Sequence, residues 1–370
     1  MKKICWVTPD CFLDTDLQSN ILDKILLSYD IHWIVVLYKS GRFKESDFDE
    51  IRRRRQNLKI DFVYFKHRAR DIRTLFGFLK IYAKVHSVKA DINYINIVPA
   101  NPLSFPLFLL PKKKTIYTAH DGEVKSILTM RHLVKLAFKF YRMVKYVNMF
   151  SKSEADIFNL NFSRKQVFVI PLAAKDYGAA SIEKRKDCIS FLSFGTLHDE
   201  KNIGLLIEAA NQLFEEGVEN FKVSINGSWC VNWNIDDKIR HKSIFELNLN
   251  PIPNGDIPNL FGYNHYAVYP YKNMSQSGAL KVAYFYNNPV IVTDLKGFTD
   301  EVEDNTDGYI FKSDDVLSLK QIMKKCIDDG FDGYNELQRK MRNHIEGKYS
   351  LENIANQYSQ MFEKVLKNEL

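Results

Sequence analysis

A turn of small polar residues near position 277 carries the clearest sign of chemistry in this chain. The turn consists of Ser275, Gln276, Ser277 and Gly278. It follows an apolar run that ends at Tyr269 and precedes a helix predicted over 279–286, and residues 290–293 (VIVT) have the composition of a buried parallel strand. This order leaves the N–H groups of the helix N-terminus facing the turn, where they can bind a phosphate. We therefore interpret the turn as a phosphate cradle.

Two other segments carry polar side chains at the end of a predicted strand or directly after one. His120 and Asp121 are the polar pair that ends a strand predicted over 115–121 (TIYTAHD), and Lys201 lies in the turn 195–202 (GTLHDEKN) after the strand 189–194. The carboxyl ends of parallel strands are where open α/β sheets bind ligands. We favour a functional role for His120 over the alternative of a hydrogen-bonded structural histidine.

Together these segments resemble the retaining glycosyltransferases of family 4, which have the two-lobed GT-B fold. The resemblance covers nearly the whole chain, is dense over 189–311 and is thin before residue 110. The turn at 275–278 is similar to that of the Ser-Gln-Ser-Gly members. The commoner members have two glutamates eight positions apart, which would fall near Met274 and Val282. The turn 195–202 resembles the family's Gly-Arg-x4-Lys segment, with Thr196 in place of the arginine and Lys201 kept.

The resemblance implies a role for each of these residues. Lys201 would neutralise the diphosphate of a nucleotide-sugar donor, and Lys281 and the helix N-terminus beyond Gly278 are the candidate substitutes for the missing arginine. His120 would face the sugar from the first lobe, and Ile252 would lie beside the base. The predicted catalytic residues are thus His120 and Lys201. The predicted substrate-binding residues are Asp121, Gly195, Thr196, Gly227, Ile252, Ser275, Gln276, Ser277, Gly278, Ala279 and Lys281.

We expect no metal and no cofactor other than the nucleotide sugar as a co-substrate, because Lys201 and backbone dipoles would carry the charge. The sequence contains no HExxH motif, Gly-x-Ser-x-Gly turn or GxxxxGK[ST] phosphate loop. Asp14 and Asp16 have the spacing of metal ligands, but we favour their capping a helix predicted over 17–28. A role for this loop in acceptor binding stays open.

The pattern of segments predicts an α/β protein with the GT-B architecture, in which two Rossmann-like lobes face each other across a cleft. Its 370 residues, 45% of them hydrophobic, are enough for two domains. We place the acceptor-side lobe at 1–174, a polar linker at 175–187 and the nucleotide-sugar-binding lobe at 188–350. The amphipathic segment 351–370 is expected to pack back on the first lobe.

The net charge of +7 is distributed unevenly along the chain. Residues 1–175 hold 31 Lys and Arg against 16 Asp and Glu, whereas residues 176–370 hold 21 against 29. Basic and apolar residues alternate over 51–90 and again over 128–146. This pattern suits a helix on an anionic membrane surface, and it also suits an ordinary domain helix. We favour membrane contact and place nucleic-acid binding well behind it, because no nucleic-acid motif is present.

The sequence thus predicts a retaining, hexosyl-type glycosyltransferase that moves a sugar from a nucleotide diphosphate to a hydroxyl of a saccharide or lipid-linked saccharide. We expect a role in bacterial cell-surface polysaccharide biosynthesis. Five scattered cysteines and the absence of a transmembrane-length apolar run predict a cytoplasmic protein, peripheral on the inner face of the cytoplasmic membrane. Two alternatives stay open: a catalytically degenerate GT-B partner subunit, since the arginine and both glutamates are missing, and a GT-B-fold sugar-nucleotide epimerase.

Overall fold

The chain folds into two compact units in a computed structural model. The structure describes residues 1–9, 21–25, 28–39, 41, 43–54, 56–68, 71–97, 102–124, 131–163 and 165–367. The first unit comprises Met1–Ala173 and Leu351–Leu370, and the second comprises Ala174–Ser350. Each unit contains one parallel sheet with a hydrophobic core on both of its faces. The predicted α/β class is therefore confirmed.

The first unit contains a seven-stranded parallel sheet. Its strands are β1 (Lys2–Pro9), β2 (Tyr29–Tyr38), β3 (Leu58–Phe65), β4 (Ile92–Ile95), β5 (Thr115–Ala119), β6 (Tyr146–Met149) and β7 (Gln166–Val169). Its helices include α1 (Asp49–Arg54), α2 (Thr74–Val88), α3 (Arg131–Phe138) and α4 (Lys152–Asn161), with 3₁₀ segments at Glu45–Phe48, Pro102–Leu109 and Lys139–Met143. The strand order is β3-β2-β1-β4-β5-β6-β7. Because helices cover both faces, these strands are nearly continuous apolar runs.

The second unit repeats this plan with six strands. They are β8 (Ile189–Phe194), β9 (Phe221–Asn226), β10 (Phe245–Asn248), β11 (Tyr266–Tyr269), β12 (Val290–Thr293) and β13 (Gly308–Phe311), in the order β10-β9-β8-β11-β12-β13. Its helices are α5 (Ile203–Glu215), α6 (Ile257–Tyr263), α7 (Gly278–Phe285), α8 (Lys296–Thr299) and α9 (Val316–Tyr349), the last kinked at Gly330. Short 3₁₀ segments occupy Asp199–Lys201, Ile235–Asp237, Lys242–Ile244 and Asn254–Asp256.

The direction of strand addition reverses once in each sheet. In the first sheet it reverses between β1 and β4, and in the second between β8 and β11. The loops that follow the two strands at such a point diverge to opposite faces and leave a crevice at the carboxyl edge. The strand order therefore indicates the loops after β8 and β11 as a ligand-binding region of the second unit.

The helix α10 (Leu351–Lys367) belongs to the first unit although it follows the second in sequence. Its Tyr358 and Phe362 rings pack against Trp6 with centroid separations of 5.3 and 5.9 Å. All three side chains are buried. Burial of this apolar face is what holds the helix on the first sheet, and its predicted return is confirmed.

Two segments differ from the sequence expectation. The segment 175–187, predicted as a linker, is part of the second unit, where Lys175 is buried and buried Arg185 forms an ion pair with Glu246. The described part of the predicted 128–146 helix is α3 followed by the 3₁₀ segment Lys139–Met143. In that segment Tyr141 is buried, so the backbone tightens where its ring enters the core.

Candidate functional site

The loops that follow β8 and β11 meet at the carboxyl edge of the second sheet. The backbone N–H of Lys272 donates to the carbonyl of Glu200 over 2.9 Å. The Lys201 Nζ lies 3.6 Å from the centroid of the Tyr271 ring. The sequence predictions at 195–202 and 275–278 thus fall on two adjoining loops at the point where the strand order reverses.

Lys201 presents a positive charge at this edge. Its side chain is half-buried against the buried Tyr271 ring, and it makes no ion pair with any carboxylate in the described part of the chain. The ring face attracts the ammonium without cancelling its charge, so the group is held in place and can still bind an anion. Burial, followed by the charge of Lys201, lowers the pKa of neighbouring His198 from its ordinary value of 6.5, which keeps that imidazole neutral near pH 7.

The N-terminus of α7, which follows the loop that contains Tyr271 and Lys272, supplies hydrogen-bond donors. Ser277 is the N-cap, and its Oγ accepts from the N–H of Leu280 over 3.2 Å. The N–H groups of Gly278 and Ala279 have no intrahelical acceptor, because they lie in the first turn. These two residues are half-exposed, as are Ser275 and Gln276 in the preceding turn. The helix dipole adds a partial positive charge at the same end.

Gly195 and Gly227 bring the backbones after β8 and β9 into direct contact. Both have positive φ angles, 125° and 143°. A Cβ on Gly227 would lie 1.7 Å from the carbonyl oxygen of Gly195, so no other residue fits at position 227. This contact leaves Thr196 exposed at the loop tip.

Lys281 does not share this surface, which corrects the prediction that it substitutes for the missing arginine. Its side chain is 1% exposed and forms an ion pair with Glu301, which is 7% exposed. The Lys281 Nζ also lies 3.7 Å from the centroid of the Tyr349 ring. Burial lowers the pKa of Lys281, and the attraction of Glu301 opposes that shift. A cation neutralised inside the core does not reach a phosphate at the sheet edge.

A cavity of about 380 Å³ lies between α6 and the strands β9 and β10. Ile252 lines it, together with Asn226 and Asn248 at the carboxyl ends of the two strands. No Lys or Arg is among the lining residues that the structure describes, so the cavity does not suit a diphosphate. Its amide, carboxylate and aliphatic groups suit an uncharged, planar or hydroxylated group.

His120 and Asp121 follow β5 in the first unit, as predicted for a strand end. The His120 Nε2 lies 3.4 Å from the Oδ1 of Asn96, which also accepts from the Thr118 hydroxyl over 2.8 Å. The next residue, Gly122, donates its N–H to the Glu154 carboxylate over 2.6 Å. Asn96 therefore orients the imidazole, and Glu154 fixes the loop that carries it.

Sequence reasoning missed both of these supporting residues. Asn96 directly follows β4, so the strand-end rule that identified His120 would also have found it. Glu154 lies on α4, more than thirty residues after the loop, and nothing in the sequence connects the two. The predicted loop at Asp14 and Asp16 lies outside the described residues.

Comparison with known proteins supports one class of function for this arrangement. Residues 179–347 match the family model for Glycosyl transferases group 1. No curated protein sequence matches the chain. The family match covers most of the second unit, including both loops at the sheet edge, and it supports a glycosyltransferase.

Solved structures match over the full length of the chain. A glycosyltransferase from Rickettsia africae ESF-5 gives a TM-score of 0.75 at 15% identity, covering 99% of each chain. A sucrose-phosphate synthase from Thermosynechococcus elongatus gives 0.75 at 11% identity, covering 100% of each chain. The Anabaena protein HepE, solved in complex with UDP-glucose, gives 0.71 at 14% identity, covering 98% of this chain and 100% of that one. These likenesses confirm the predicted GT-B fold.

Proposed function

We propose that this chain, whose second unit carries the match to glycosyl transferases group 1, transfers a sugar from a nucleotide diphosphate to a hydroxyl acceptor. One observation carries the proposal. At the carboxyl edge of the second sheet, Lys201 and the N-terminus of α7 lie on the two loops that meet there. A cation and a set of fixed N–H donors are what a departing diphosphate requires.

Each group has a place in the proposed reaction. As the bond between the sugar and the diphosphate breaks, negative charge grows on the leaving oxygen. Lys201 and the N–H groups of Gly278 and Ala279 stabilise that charge more in the transition state than in the bound donor, which lowers the barrier. The nucleoside end of the donor occupies the cavity beside Ile252. His120, oriented by Asn96, is the residue that the family resemblance assigns to the sugar.

The finer assignment follows the family resemblance. We propose transfer of a hexose with retention of anomeric configuration, from a donor that UDP-glucose in the HepE complex exemplifies. The acceptor is a saccharide or lipid-linked saccharide in cell-surface polysaccharide biosynthesis, and the reaction takes place on the cytoplasmic side of the membrane. The anomeric configuration of the product, read by proton NMR before mutarotation, tests retention.

A screen of UDP-, GDP- and ADP-sugars is expected to reveal the donor. A donor present at a hundred times its Kd stabilises the second unit by about 2.7 kcal/mol, which raises the melting temperature of that unit by about 5–10 °C. The same donor should release its nucleoside diphosphate when a saccharide acceptor is added. A chain that melts higher with a nucleotide sugar but never releases the diphosphate would be a binding subunit, and one that converts the donor sugar to its epimer would be an epimerase.

Turnover is expected to survive removal of divalent metals. After dialysis against EDTA, the rate should stay within about twofold of the untreated rate, because Lys201 and the α7 N-terminus supply the positive charge that a metal would otherwise provide. Release of nucleoside diphosphate, measured with and without added Mg²⁺ or Mn²⁺, checks this. A large loss of turnover that either ion reverses would contradict the assignment of the positive charge to Lys201 and the α7 N-terminus. It would not contradict the GT-B fold.

A further inference from the structure

Five neighbouring segments on one side of the first unit contain no acidic residue. These segments are α2, the 3₁₀ segment Pro102–Leu109, residues 110–114, α3 and the 3₁₀ segment Lys139–Met143. They pack on the same face of the first sheet through a shared core that includes Phe78, Leu107 and Tyr141. We call their outer surface the basic face.

The basic face carries exposed cations that have no carboxylate partner. Exposed Lys and Arg side chains on it are Lys80, Lys112, Lys113, Lys135, Lys139 and Arg142. None of them forms an ion pair with an acidic side chain within the described ranges. Just before α2, the carboxylate of Asp71 is already paired with Arg73. The potential over this face is therefore positive throughout.

Large apolar side chains protrude among these cations. Phe76 is 70% exposed in the first turn of α2, and Ile72, which is 66% exposed, lies two residues before that helix begins. Leu79, Phe105, Leu109 and Leu136 are also exposed. Single exposed apolar residues are ordinary, but five on the basic face, with Ile72 just before it in sequence, mark an interaction site.

We propose that the basic face docks on an anionic lipid bilayer, with Ile72 and Phe76 entering the headgroup–acyl boundary and the surrounding lysines contacting lipid phosphates. No helix in the described ranges is long and apolar enough to cross a bilayer, so the contact is interfacial. Apolar residues flanked by cations are the chemistry of interfacial binding. The inference rests on the proposed function only in what docking would achieve, which is to hold the enzyme beside a lipid-linked acceptor.

Two other occupants match this face less well than a bilayer does. A second copy of the chain would set two acid-free, positive surfaces against each other, and the repulsion would oppose a dimer. A nucleic acid would pair with the lysines, but it would leave the protruding Ile72 and Phe76 side chains without an apolar environment. Only a bilayer offers phosphates and hydrocarbon together at one surface.

Flotation of the full chain with vesicles tests the proposal. We expect binding to phosphatidylcholine vesicles with about 30% phosphatidylglycerol, little binding to pure phosphatidylcholine, and release as NaCl rises to about 0.5 M, because salt screens exposed charges. The double variant Ile72→Ser/Phe76→Ser and the double variant Lys80→Glu/Lys135→Glu should each lower the vesicle partition coefficient about tenfold or more.

Two matched controls lie on the second unit, where Leu317 is 58% exposed and the Lys242 side chain is 80% exposed. Leu317→Ser and Lys242→Glu should bind vesicles as the parent chain does. Melting temperature and donor-induced stabilisation, measured in the absence of vesicles, should be unchanged in all four variants, which separates loss of docking from misfolding and from loss of donor binding.

Several outcomes would overturn the proposal while leaving the glycosyltransferase assignment intact. These are equal binding to neutral and anionic vesicles, binding that neither double variant weakens, a dimer in solution that Phe76→Ser disperses, and tight binding to a duplex oligonucleotide without vesicle binding. Conversely, vesicle binding by a chain that no nucleotide sugar stabilises would support the docking face and count against the proposed function.

Discussion

Replacing Lys201 by methionine is expected to lower kcat/KM for sugar transfer by about 10²–10³-fold, the usual cost of removing one preorganised charge donor from a transition state. Methionine preserves the aliphatic stem that packs on Tyr271 and removes only the ammonium. The effect should be larger on kcat than on KM, because charge on the leaving diphosphate grows as its bond to the sugar breaks. Steady-state release of nucleoside diphosphate measures both constants.

The binding of products gives a second measure of the same interaction. The Lys201→Met chain should lose affinity for a nucleoside diphosphate but keep its affinity for the corresponding nucleoside, because the cavity proposed to bind the base, beside Ile252, has neither Lys nor Arg among its described lining residues. Lys242→Met, which removes an exposed lysine elsewhere in the second unit, should change neither. Lys201→Arg should restore part of the lost rate. Full turnover by Lys201→Met would show that the diphosphate binds elsewhere.

The positions of β8 and β12 and of the Lys201 and Ser277 loops followed from the sequence because local patterns determine them. Residues 189–194 and 290–293 are short apolar runs, and they form β8 and β12 with the predicted bounds. A loop that follows a parallel strand lies at the carboxyl edge whatever its composition. Lys201 could therefore be assigned to that edge from its distance to the end of β8.

The direction in which a side chain points could not be predicted in the same way. Lys281 lies four residues after the N-cap Ser277, close enough in sequence to share its surface, yet it points into the core toward Glu301, twenty residues further on. Likewise, the polar composition of 175–187 predicted a linker, but Arg185 pairs with Glu246, sixty-one residues away. Both errors come from ion pairs between residues distant in sequence, which bury charges that composition assigns to the surface.

The buried pair of Lys281 and Glu301 leads to the largest expected effect on stability. Lys281→Met should lower the free energy of unfolding by about 3–5 kcal/mol, because it leaves the carboxylate of Glu301 buried without a counter-charge. Urea unfolding of the second unit, followed by tryptophan fluorescence and circular dichroism, measures the loss. The protein that stays folded should still be stabilised by the nucleotide sugar, since Lys281 does not reach the proposed diphosphate site.

The double variant Lys281→Met/Glu301→Leu isolates the cause of that loss. Removing both charges replaces a desolvated ion pair with apolar contacts against Tyr284 and Tyr349, so most of the lost stability should return. If Lys281 instead contacted the nucleotide sugar, the opposite result would be expected. Lys281→Met would then keep its stability and lose nucleotide binding, and Glu301→Leu would not restore that binding. The two variants therefore decide whether Lys281 acts through the core or through the donor, and the buried contacts with Glu301 favour the core.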